Sequence, residues 1–263
     1  MICLVAATQG AAQTLPPLAA PRPGQPGKDV VWVPTPVPMV EKMLDMARVT
    51  PQDYVIDLGS GDGRNVIAAA RRGARALGVE YNPDLVVLSR RAAVEAGVAD
   101  KAIFVEGDMF EADISQATVL ALFLLPDHLR RLTPKFLDLK PGSRIVSNTY
   151  DMGGGWSPDA TETVRGNCVS FCLAVLYIVP AKVAGSWHLD SGDLTLVQEY
   201  QNVSGTFEVA GIRVPVENGT LRGNEINFVI NKVEYNGRVN GDNMEGVASG
   251  RMTRNWSATK WSQ

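Results

Sequence analysis

The chain has 263 residues, 45% of them hydrophobic and 20% charged, and carries a net charge of −3. This balance supports a buried core in one large domain or two small ones, and its sign excludes bulk electrostatic attraction to nucleic acid or an anionic membrane. No run reaches the roughly 20 consecutive apolar residues of a membrane-spanning helix.

Residues 1–28 are expected to form a leader. MICLVAATQGAAQT has a short apolar stretch and small residues but lacks the positive start of a secretory signal. It reads either as the tail of a signal or as a disordered leader. The LPPLAAPRPGQPGK that follows has the Pro and Gly content of a linker. Order is expected from about Val30, with a helix capped by Thr35 and running to about Val49.

Between 53 and 148, short apolar runs alternate with helical patterns. The expected strands are YVIDL (54–58), ARALGVE (74–80), KAIFVEG (101–107), ATVLALFLL (117–125) and SRIVSN (143–148). Helices are expected over 65–72, 84–96 and 127–137. Buried, non-alternating strands separated by helices indicate a doubly wound, Rossmann-like, mostly parallel α/β sheet covered on both faces. Two basic clusters, Arg71, Arg72 and Arg75 and then Arg130, Arg131 and Lys135, read as solvated helix faces.

The pattern changes after Trp156. CVSFCLAVLYIV reads as one strand, which would hold Cys168 and Cys172 roughly 13 Å apart, too far for a disulfide. No Cys or His spacing suggests a metal site. Beyond Ser186, short alternating runs separated by Asn-Gly and Gly-Asp pairs predict a small antiparallel β meander or barrel. The expected domains are therefore 29–181, α/β, and 186–263, antiparallel β.

The most informative segment is Asp57-Leu-Gly-Ser-Gly-Asp-Gly-Arg64, placed between a predicted strand and a predicted helix. Gly59 and Gly61 allow a tight turn and close approach to a ligand, with Ser60 between them. Glu80 ends the second strand, where an acid accepts hydrogen bonds from ribose hydroxyls; Tyr81 follows it. A dinucleotide fingerprint needs a small third residue, but that position is Arg64, and Asp57 and Asp62 would oppose a pyrophosphate. S-adenosyl-L-methionine has no phosphate and carries an ammonium and a sulfonium, so acids at the loop favour it. After the third strand, Asp108 is placed to accept from an adenine amino group, with Met109 or Phe110 against the ring.

Several stretches together carry a resemblance: Val33-Pro-Thr-Pro36, the glycine motif, Gly78-Val-Glu-Tyr-Asn-Pro83, Leu88-Ser-Arg-Arg-Ala92, Leu122-Phe-Leu-Leu-Pro126 and Trp156-Ser-Pro158. Residues 31–158 resemble the seven-stranded class I S-adenosylmethionine-dependent methyltransferases. More narrowly, they resemble the lysine methyltransferases related to the ATP-synthase c-subunit enzyme and their bacterial relatives. The resemblance implies methyl transfer to an amine, with a protein as substrate.

Leu124-Leu125-Pro126 stands where amide and adenine methylases carry an Asn/Asp-Pro-Pro-Tyr motif, which disfavours that acceptor class. Direct methyl displacement depends mainly on positioning. The acceptor pocket is expected to draw on Trp32, Thr35, Tyr150 and Asp151, with Tyr150 or Asp151 orienting or deprotonating the amine. The competing reading is an exported binding protein: its β region would contact a partner, and the Rossmann-like region would be a retained scaffold. The leader favours that reading, since the cofactor is a cytosolic metabolite; the glycines and acids favour the enzyme.

Overall fold

A computed structural model describes residues 31–261; the expected leader at 1–28 lies outside the described residues. The α/β region contains α1 (Val37–Met46), β1 (Tyr54–Leu58), α2 (Arg64–Arg71), β2 (Arg75–Glu80), α3 (Pro83–Glu95), β3 (Ala102–Glu106), β4 (Val119–Leu122), α4 (Pro126–Leu137), β5 (Arg144–Asn148), β6 (Ala160–Thr163) and β7 (Leu173–Ile178). The sheet order is β3-β2-β1-β4-β5-β7-β6. The first five strands pair in parallel, while β7 runs antiparallel to β5, and β6 antiparallel to β7.

Side chains leave alternate faces of each strand, so one strand feeds two cores. Val55, Val119, Ala121 and Val146 pack with Met39, Met43, Leu44 and Val66 of α1 and α2. Ile56, Leu120, Leu122 and Ile145 pack with Leu129, Leu132 and Phe136 of α4. Both faces are covered, which explains the unbroken apolar run of β4 and the apolar run of β1 that only Asp57, at its cavity end, interrupts.

Two local expectations are corrected. Helix α1 starts at Val37 with Pro36 in the N-cap position and no side-chain cap. Thr35 is instead buried, and its carbonyl accepts from Arg64 Nη1 at 2.6 Å. Proline at the start sets the backbone angle a helix needs without a side-chain cap. The second correction is larger: Cys168 and Cys172 form a disulfide, their Cα atoms 5.8 Å apart. The strand begins only at Leu173, and Phe171 has φ +57°. That left-handed residue turns the chain back and removes the extended geometry that would have separated the cysteines.

The second region has eight antiparallel strands: β8 (Gly185–Leu189), β9 (Gly192–Glu199), β10 (Asn202–Val209), β11 (Ile212–Arg222), β12 (Glu225–Ile230), β13 (Val233–Asn240), β14 (Asn243–Ser249) and β15 (Thr253–Lys260). Consecutive strands pair, and β15 returns to β8 through Ala258 opposite Leu189, closing the barrel. Closure leaves no edge free to pair with another chain. The interior is filled, with Phe228 and Tyr235 stacked 5.0 Å apart and Trp256 edge-on to both. Gly237 makes room for that indole: a Cβ there would lie 2.5 Å from Trp256 Cζ2.

The barrel packs on the loop after β5. Trp156 and Tyr200 stack, Gln201 Nε2 donates to the Ser157 carbonyl at 3.0 Å, and Arg222 pairs with Asp159 at 3.3 Å. The connecting segment is pinned by Gln198, whose amide nitrogen donates to the Ala181 carbonyl and whose oxygen accepts from Val183 N. Among the described residues no helix is long and apolar enough to cross a membrane.

Candidate functional site

A cavity of about 530 Å³ opens at the carboxyl ends of the parallel strands. It lies where the strand order reverses between β1 and β4, the crevice in which open α/β sheets place their ligands. One side is built by the turns after β1, β2 and β3, the other by the segments after β4 and β5.

The glycine loop forms the floor. Gly59 N and Ser60 N both donate to the Val79 carbonyl, at 2.8 and 3.1 Å, which ties the turn to β2. Gly61 has φ +55°, and a Cβ there would lie 2.5 Å from Trp32 Nε1. Only glycine lets the 31–36 segment close over the loop. Arg64, the residue that argued against a dinucleotide, has a structural task here: it donates to Asp62 and to the Thr35 carbonyl, joining that segment to the start of α2. From α3, Ser89 Oγ donates to the Gly61 carbonyl and braces the loop, while Arg90 donates to the Phe104 carbonyl and ties the helix to β3.

The carboxylates are arranged around this floor. Glu80 accepts from Gly61 N at 2.8 Å and from Asn82 N at 2.9 Å. Asp57 is 3% exposed, and one of its oxygens accepts from Asn65 Nδ2 at 3.1 Å. The other oxygen, Oδ1, has no partner, and neither do Ser60 Oγ and Asn65 Oδ1 of the same cavity lining. Burial pushes the Asp57 carboxyl well above the usual carboxylate range; Asn65 opposes this, and nearby Glu80 and Asp62 add to it. An unpaired buried carboxylate is costly, whereas a cationic donor in the cavity would satisfy it. The donor set therefore fits a ligand with an ammonium group and a ribose better than one with a pyrophosphate.

The other expected residues are distributed as follows. Tyr81, Asp108, Met109, Trp32, Thr35 and Tyr150 all line the cavity. Asp108 Oδ1 accepts from Phe110 N at 2.8 Å, so it shapes the turn as well as facing the cavity. Phe110 is not part of the lining; its ring packs against His128 and beneath the Arg131 guanidinium. Asp151 is also outside the lining, with Oδ1 accepting from Gly153 N. Residues that sequence reasoning missed include Asn65, Phe123, His128 and Phe171. Asn65 is the second residue of α2, in its first turn directly after the glycine loop, and its amide faces Asp57, a signal available from its place in the motif. Phe171 offered none, because its position depends on the disulfide-closed loop.

The model of the ANTKMT methyltransferase domain matches residues 57–160. A protein-lysine N-methyltransferase from Saccharolobus islandicus is 42% identical over 153 residues, covering 57% of this chain and 94% of that protein. The ATP-synthase c-subunit lysine N-methyltransferase of Mus musculus is 37% identical over 131 residues, covering 49% and 52%. A crystal structure described as an RNA methyltransferase from Salinibacter ruber, in complex with S-adenosyl-L-homocysteine, is 48% identical with a TM-score of 0.54, covering 57% and 96%. The chain thus spans nearly the whole archaeal and Salinibacter proteins and about half of the mouse one.

Proposed function

We propose that this chain, which belongs to the ANTKMT-type family of S-adenosylmethionine-dependent methyltransferases, methylates the side-chain amine of lysine in a protein. S-adenosylmethionine supplies an electrophilic methyl group on a sulfonium centre. The nitrogen–carbon bond forms as the carbon–sulfur bond breaks, the electron pair goes to sulfur, and the nitrogen gives up one proton. The chain's part is to bind, align and keep water out.

The observation that carries the cofactor assignment is the buried, unpartnered Asp57 Oδ1 in an acid-lined cavity. In this reading Asp57 and Asn65 hold the cofactor's ammonium, with Gly59, Ser60 and Gly61 as the floor beneath it. Glu80 takes the ribose hydroxyls, with Tyr81 beside it. Asp108 and Met109 face the adenine. On the acceptor side, Tyr150 orients the amine and Thr35 closes the wall through its carbonyl bond to Arg64; Asp151 is turned to Gly153 N outside the lining, so the amine gives its proton to solvent. The retained acids do not favour a scaffold without a cofactor. The net negative charge and the absence of an Asn/Asp-Pro-Pro-Tyr motif favour a protein amine over RNA.

The test is incubation of the purified full chain with methyl-labelled S-adenosylmethionine and a host extract, followed by separation of protein and RNA. Label in acid-hydrolysed protein as methyl-lysine is expected. Label confined to RNA would overturn the lysine reading.

A further inference from the structure

Three aromatic rings stand on the acceptor side of the cavity, each from a different neighbouring strand. Phe123 follows β4, Tyr150 follows β5 and Phe171 precedes β7, and all three line the cavity. Phe123 and Tyr150 stack with centroids 6.4 Å apart and planes at 20°, while Phe171 lies 5.1 Å from Phe123 at 59°. All three are half-buried, so ring surface remains open to a ligand. The acids Asp57, Glu80 and Asp108 come from the β1–β3 side, so the cavity has an acidic half and an aromatic half.

Two backbone strains meet here. Thr149 has φ +69° and Phe171 φ +57°, conformations that β-branched and bulky residues rarely adopt. Thr149 N donates to the Leu173 carbonyl at 2.6 Å, so both strained residues belong to one antiparallel corner of β5 and β7. Such strain persists only where surrounding structure holds it, and it gathers at functional sites. For Phe171 the holding element is the Cys168–Cys172 disulfide, which closes the loop that carries it.

A ring face attracts a cation and tolerates apolar substituents, so a cluster of rings selects alkylammonium groups, methylated ones included. We infer that Phe123, Tyr150 and Phe171 form an acceptor subsite for an alkylammonium group, with the Cys168–Cys172 bridge holding Phe171 in place. This rests on the lysine reading above and deepens it. A methylated amine keeps its charge but loses N–H donors, and aromatic walls ask for none. The subsite therefore holds mono- and dimethylated products for further turnovers.

The test uses the full chain saturated with S-adenosyl-L-homocysteine and a pair of probes. One is Nα-acetyl-Nε-trimethyl-lysine amide; the other is its analogue with tert-butyl in place of trimethylammonium. The charged probe is expected to bind at least tenfold more tightly. Phe171→Leu should weaken the charged probe at least fivefold and leave S-adenosyl-L-homocysteine affinity within twofold, which also certifies the fold. Phe171→Tyr should restore binding of the charged probe, and Cys168→Ser should weaken it in the same direction as Phe171→Leu. Equal binding of the two probes, no binding of the charged one, or an unaltered Phe171→Leu variant overturns the subsite; an unaltered Cys168→Ser variant overturns the role of the bridge. Failure of the lysine reading shows separately, as methyl label in RNA or no affinity for S-adenosyl-L-homocysteine.

Discussion

The indole of Trp156 and the phenol ring of Tyr200 lie nearly parallel, 5.9 Å between centroids with planes 4° apart. Trp156 is 3% exposed and belongs to the loop that carries Tyr150; Tyr200 belongs to the turn between β9 and β10. Tyr177 completes the cluster, edge-on to Trp156 at 5.0 Å, with its hydroxyl accepting from Met152 N. The barrel thus supports the acceptor side of the cavity without touching the acids of the cofactor side.

Tyr200→Ala should therefore separate stability from cofactor binding. Loss of the stacked pair and its buried area is expected to cost about 1–3 kcal/mol. Denaturant unfolding should show the loss, while calorimetric affinity for S-adenosyl-L-homocysteine should change less than about threefold. A large loss of cofactor affinity in the folded variant would mean that the barrel reaches the acids as well.

Glu80→Ala removes the acceptor for two backbone N–H groups and, in the proposed reading, for the ribose. Hydrogen bonds to a charged group support a loss of about 1.5–3 kcal/mol, roughly 10- to 150-fold in affinity. Gly61→Ala should be at least as damaging, because its Cβ would collide with Trp32 and its φ would be strained. Titration calorimetry of the two variants against the parent chain measures both; undiminished binding in either would place the cofactor elsewhere.

The buried Asp57 carboxyl implies a pH signature. Its folded-state pKa is raised above the ordinary 3.8, chiefly by burial. Its contribution to the stability of the ligand-free protein is therefore full below that ordinary value and is lost as pH rises through the raised folded pKa. A cationic ligand stabilises the ionised form, so binding should tighten with rising pH across the same window and release a proton. Calorimetry in buffers of different ionisation enthalpy reads the proton directly. Asp57→Asn should abolish its release, and proton uptake by the parent chain would contradict the assignment.

Asp53 should show the opposite sign. It is 7% exposed; burial raises its pKa, but hydrogen bonds from Thr50, Thr118 and Arg144 and the charge of Arg144 outweigh that, holding it below 3.8. Its contribution is present above 3.8 and is lost as pH falls through the depressed folded value. Asp53→Ala leaves the Arg144 guanidinium, 24% exposed, without its carboxylate. A cost of about 3–5 kcal/mol is expected, seen in unfolding near neutral pH and shrinking in acid. A variant equally destabilised at every pH would show that the loss is packing rather than charge.

Where chemistry is local along the chain, the sequence alone was decisive. The apolar runs of β1 and β4 announce strands buried on both faces, and Asp57, Gly59, Gly61 and Glu80 sit at spacings that only a strand–turn–helix and the next strand's end can satisfy. Period-two alternation likewise marks the strands after Ser186. What depends on distant segments meeting was decided by the tertiary structure. Alternation is the same in an open meander and a closed barrel, and only the pairing of β15 with β8, from Ala258 opposite Leu189 to Lys260 opposite Trp187, distinguishes them. Cys168 and Cys172 read as strand residues because the apolar run around them is continuous; the reversal at Phe171 that brings them together lies just ahead of the paired residues of β7, where no strand partner holds the chain extended. Tyr150 and Asp151 are neighbours in sequence with equal claims to the acceptor site, yet one faces the cavity and the other caps the turn at Gly153. Successive side chains leave a backbone in different directions, and which direction meets a cavity is set by the elements packed around it.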